Sequence, residues 1–162
     1  MTAGATYFPI ATTTLGSATG TVTFSSIAST YTDLIVVYAT SASADTVNYL
    51  RFNGDSGSNY SYTLLYGDGT TAGSSRASNT TNIQDPFTMS SAITSNIIQI
   101  MNYSNSTTYK TALIRSGAAN NSTVASVGLW RNTAAITSVS LVTASGTFNT
   151  GSTFTIYGIA AA

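Results

Sequence analysis

The chain has 162 residues with five basic and five acidic side chains, and no histidine or cysteine. Charged residues are 6% of it, against about 25% in an ordinary soluble domain. All five acids are aspartates (Asp33, Asp45, Asp55, Asp68, Asp85), so a Ser/His/Asp or Cys/His nucleophile, a thiolate or imidazole zinc site and a disulfide cannot be built. The five cations (Arg51, Arg76, Lys110, Arg115, Arg131) are scattered, which argues against a nucleic-acid partner, whose phosphates select clustered Lys and Arg.

Polarity comes instead from Ser and Thr, which together make up a third of the chain. Hydroxyls do not titrate, and a surface of zero net charge lacks the repulsion that keeps molecules apart, so the composition favours assembly. No spacing among the aspartates suggests the paired carboxylates of a glycosidase, and the chain is read as a non-enzyme without a metal or cofactor. The length fits one domain with a real core. No apolar run approaches a membrane span, and "MTAGATYFPIATTT" lacks the basic n-region of a signal peptide.

In chain order, residues 1–16 read as an extended N-terminal arm, with Tyr7, Phe8 and Ile10 as candidate assembly anchors because no strand partner lies nearby in sequence. Residues 17–162 read as a single domain. Period-two alternation begins at "TVTFSSI". The β-branched run "DLIVVYAT" (33–40) predicts a strand covered on both faces. "VNYLRFN" sends Leu50 and Phe52 one way, Tyr49 and Arg51 the other, and "YSYTLLY" aligns Tyr60, Tyr62, Leu64 and Tyr66. "GDGTTAGSSRASNTT" (67–81) reads as the longest exposed loop, and Pro86 marks an edge or a break. "NIIQIMNY", "YKTALIRS", "VASVGLWR", "ITSVSLVT" and "STFTIYGI" complete nine or ten short strands. The fold expected is all-β: an antiparallel β-sandwich, jelly roll or small barrel.

The segment "RFNGDSGSNYSYTLLYGDG" (51–69) comes nearest to a site. Asn53, Asp55 and Asn59 stand at the even spacing hard cations use, but the closing glutamate of an EF-hand is missing. A glycine-containing turn whose Asp and Asn side chains cap their own backbone accounts for the same residues. Loop contacts to a glycan or protein would come from Asp55, Asn59, Asp68 and Arg76. The tyrosine row and Trp130 read as buried face or interface. An ice-binding threonine array would need a fixed repeat, which the sequence lacks.

"LRFNGDSGSNYSYTLLYG", "NYSNSTTYKT", "GLWRNTAAITSVSL" and the terminal "GSTFTIYGI" resemble, in that order, blocks of small virion structural proteins of tailed bacteriophages. The resemblance covers about residues 20–162. It implies a jelly-roll-like sandwich that is not an enzyme, assembled in the bacterial cytoplasm and resident in the virion. Proteins of this kind serve variously as capsid decoration (cement) proteins, tail proteins and fibre domains. The extended arm and the lack of heptads for a fibre stem favour decoration, with a homotrimer bound to the major capsid protein or other virion proteins as the expected assembly. The alternative implied is a tail or fibre module that binds a receptor or carbohydrate.

Overall fold

The alternating segments pair into twelve strands in the computed structural model, which describes residues 6–89, 92–118 and 123–160. These are β1 (Tyr7–Thr14), β2 (Thr21–Phe24), β3 (Asp33–Thr40), β4 (Thr46–Phe52), β5 (Tyr60–Gly67), β6 (Ala72–Thr80), β7 (Ile83–Met89), β8 (Thr94–Met101), β9 (Lys110–Ala118), β10 (Thr123–Trp130), β11 (Val139–Thr143) and β12 (Thr153–Ile159). They form two antiparallel sheets. The large sheet has the order β1-β12-β3-β8-β9-β10-β5-β6, and the small one β2-β11-β4-β7. The chain is therefore an all-β sandwich.

If the hairpins β5–β6 and β9–β10 are set aside, eight strands remain, four in each sheet. Successive strands β1, β2, β3 and β4 alternate between large and small sheets. β7 stays in the small sheet, and β8, β11 and β12 alternate again. The two hairpins extend the large sheet past β8, and the edge strand β7 reaches across to β10, β5 and β9.

Period-two alternation puts one side of each strand between the sheets. Leu34, Val36, Ile98, Ile100, Ile114, Phe154 and Ile156 of the large sheet meet Phe24, Leu50, Phe52, Ile83 and Leu141 of the small one. Gly128 lets β10 and β7 come close: a Cβ there would stand 2.4 Å from the Ile83 side chain.

Three expectations change. Residues 7–14 are not a free arm, because they pair along their length with β12, from Tyr7 opposite Ile159 to Thr14 opposite Thr153. Their partner lies more than a hundred residues away, so no local signal could reveal it. Leu15, inside the expected arm, belongs to the core; residues 1–5 lie outside the described residues. The expected loop 67–81 is mostly strand β6. Its Gly, Ala, Ser and Asn have low β-propensity, but the β5 backbone offers them a ladder. Finally, β3 is covered on one face only, since Ile35 and Val37 point outward from the sandwich. Pro86 does lie in an edge strand, β7.

Candidate functional site

The 53–59 loop spends its polar atoms on the fold. Asn53 takes a left-handed φ of 53°, with Gly54 at 67°, and this tight turn carries its side chain across to the segment before β11. There its Oδ1 accepts from the Thr137 and Ser138 amides, and its Nδ2 donates to the Ala135 carbonyl. The Asp55 carboxylate accepts from the Gly57 amide (2.8 Å), Asn59 Nδ2 (2.9 Å) and the Trp130 indole (2.7 Å). Burial alone would raise the Asp55 pKa, but these three donors outweigh it and hold the carboxyl below its usual range. The arrangement is a turn that anchors a core tryptophan.

Asp55 and Asn59 are thus brought together, whereas Asp68 and Arg76 stand apart from them. Asp68 caps the β5–β6 turn, accepting from the Thr70 and Thr71 amides and the Thr70 hydroxyl. The amide donors, foremost Thr71, lower its pKa. Arg76 points outward from β6 into a shallow groove of about 680 Å³ shared with Ser61, Thr63, Ser78, Thr111 and Val127. Of the anchors expected from sequence, Ile10 packs on the core, while Tyr7, edge-on to Tyr157, and Phe8, against Tyr31, stay 58% and 38% exposed. Among the described residues, no group of three or more acidic side chains could hold a metal ion.

Two buried polar residues escaped the sequence reading. Asp85 accepts from Tyr38 (3.0 Å) and Ser116 (2.7 Å) between the sheets. Burial, then the nearby Asp85 charge, push the Tyr38 pKa well up. Lys110 sends its ammonium to the Thr108 and Thr133 carbonyls, and burial lowers its pKa. The signal existed: Asp85 is in phase with Ile83, and Lys110 with Ala112 and Ile114.

These bonds draw together three of the sequence blocks, 50–67, 102–111 and 128–141. Asn53 and Asp55 reach the Trp130–Ser138 stretch, Lys110 holds Thr133, and the Ile136 amide donates to the Tyr103 carbonyl. They build scaffold at one end of the sandwich.

The outer face of the large sheet carries exposed apolar side chains. Its central strands β3, β8, β9, β10 and β5 turn Ile35, Val37, Ile97, Leu113, Val127 and Leu65 outward in register. Leu65 is 61% exposed and Val127 50%, whereas monomeric proteins rarely expose large contiguous apolar patches without a use for them. The outer face of the small sheet is more polar, with Thr23 bonded to Ser140 and Arg51 to the Thr81 carbonyl.

The titrating groups predict a broad stability plateau. With no histidine or glutamate, little changes its charge between about pH 5 and 9. Asp55 and Asp68 have lowered pKa values, so their contribution is present above the unfolded value of 3.8 and is lost as pH falls through the folded one. Tyr60 is pushed up to about 12, chiefly by burial; Tyr38, Tyr62 and Tyr103 are also raised by burial first. Their contribution is full below pH 10 and is lost above it, for Tyr60 by about pH 12. Lys110 acts in the opposite sense just below pH 10.5, but it is one group against four. Thermal melts across pH are expected to show a flat Tm with acid and alkaline shoulders; a steep change near pH 6–7 would contradict this assignment. Neither a protein-family model nor a curated protein matches the chain.

Proposed function

We propose that the chain is a structural protein of a tailed-bacteriophage virion, acting as a capsid decoration protein that binds and stabilises the particle surface. The observation that carries this reading is the uncovered apolar outer face of the large sheet, a surface suited to burial against protein. The strand order supports it: β1, β12, β3 and β8 in one layer and β2, β11, β4 and β7 in the other fit the proposed jelly roll, an architecture found in viral capsid and lectin domains. The sequence resemblance supports it too, although its blocks build the scaffold and bear on the fold more than on the role. The proposed major partner is the capsid protein, and the proposed oligomer is a homotrimer.

Weak single contacts multiplied by shell symmetry give avidity without any strong individual bond. Quantitative composition of purified virions tests the reading. We expect on the order of hundreds of copies, as shell symmetry requires. A handful of copies moves the chain to the tail, and its absence from the particle overturns the proposal.

The second reading is a receptor- or carbohydrate-binding tail module. The groove at Arg76, lined by the hydroxyls of Ser61, Thr63, Ser78 and Thr111, favours it as a place for a glycan. A strong, competable glycan-array signal lost in Arg76→Ala would establish that role, and a blank array removes it.

A further inference from the structure

One asparagine has a chemistry and a conformation that oppose each other. We propose that Asn53 is a modification site gated by the fold: docked on residues 135–138 it is inert, and once released it deamidates irreversibly and can no longer dock. This is independent of the virion reading.

Of the twelve asparagines, Asn53 alone is followed by glycine. Gly54 has no side chain to shield its amide nitrogen, so this pair is the one most open to self-attack. The chemistry needs only water. Hydroxide takes the Gly54 amide proton, and the nitrogen adds to Asn53 Cγ. The Cγ–Nδ2 bond breaks, Nδ2 leaves as ammonia with a proton from water, and a succinimide ring remains. Water then opens either ring carbonyl, giving aspartate or isoaspartate. Nothing is oxidised or reduced.

Burial does not prevent this, because Asn53 and Gly54 are both exposed. Two contacts would even assist it: the Thr137 and Ser138 amides, 2.8 and 3.1 Å from Oδ1, are donors of the kind that stabilise an oxyanion. What the fold withholds is the nucleophile. Asn53 has a φ of 53°, in the left-handed region where ψ is about +47°. At that ψ the Gly54 nitrogen lies nearly opposite Cβ across the Cα–C bond, whereas ring closure needs the two nearly eclipsed.

The turn is pinned in this state from several sides. The Asp55 amide closes it on the Phe52 carbonyl, and the Asn53 amide donates to the Ser138 carbonyl. Nδ2 donates to the Ala135 carbonyl at 2.8 Å. Ile136, inside the receiving segment, belongs to the core, so the dock itself is anchored. The product does not fit this dock. An aspartate sets a carboxylate oxygen against the Ala135 carbonyl where a donor stood, and an unpaired buried or half-buried acceptor pair is costly. An isoaspartate adds a carbon to the main chain and breaks the turn.

The test follows the peptide holding Asn53 by mass spectrometry, with the full chain kept in mildly alkaline buffer, native or in guanidinium chloride. We expect conversion in denaturant and a native rate slower by at least about 100-fold, the rarity of an opening that breaks three side-chain hydrogen bonds. Asn53→Asp, which makes one product directly, should melt below wild type. Equal native and denatured rates overturn the gate. Absence of conversion in denaturant overturns the site, and Asn53→Asp with the wild-type Tm overturns the one-way step. The wild-type rates decide the gate even if that variant fails to fold.

Discussion

Replacing Trp130 with alanine is expected to cost about 3–5 kcal/mol, roughly a 10 °C fall in Tm for a chain of this size. The ring is 1% exposed. It packs at 5.6 Å from Phe52 and stacks on Tyr60 at 6.3 Å between centroids. Removing it opens a large cavity and takes one donor from Asp55, whose carboxylate stabilises the loop. Two effects are therefore superposed, and Trp130→Phe separates them. It keeps most of the packing but loses the indole N–H, so its expected cost is about 1–3 kcal/mol. Asp55→Ala should cost about as much, and the double variant less than the sum, since both singles break the same bond. Denaturant titrations followed by circular dichroism measure all four.

The second large effect belongs to Asp85. Its alanine variant leaves the Tyr38 and Ser116 hydroxyls without their acceptor between the sheets. The expected loss is about 3–5 kcal/mol, the scale of breaking a buried charged hydrogen-bond group. Asn48, which donates to the Tyr38 hydroxyl, loses its context too. Ser116→Ala, which removes a single donor and leaves the carboxylate bonded to Tyr38, should cost only about 1 kcal/mol. Equal losses in the two variants would show that the carboxylate is not the centre of this network.

The sequence made the strands legible where alternation was strong. β3 and the pattern of β4 follow directly from "DLIVVYAT" and "VNYLRFN", because buried positions repeat every second residue. β6 was hidden because "AGSSRASNT" has no apolar face; its existence depends on a neighbour's backbone, which no local pattern records. β1 was hidden because its partner comes from the far end of the chain. The candidate site was harder. Asp55 and Asn59 stood out as chemistry and proved to be turn architecture, while Arg115 looked like one scattered cation among five. Register places it between Ile97 and Ala125 on the outer face of the large sheet, which no local pattern in the sequence records. A run such as "DLIVVYAT" reads the same whether its second face is covered by the same chain or by another molecule.

That distinction is also the most direct test. Hydroxyl-radical footprinting of the chain, free and bound to virions, reports side-chain exposure residue by residue. Leu65, Met101 and Val127, all exposed in the isolated domain, should be labelled strongly in the free chain and protected on the particle. Tyr49, on the outer face of the small sheet, should react equally in both. Undiminished labelling of Leu65, Met101 and Val127 on the particle would show that the large-sheet face stays uncovered, and would contradict its role in assembly.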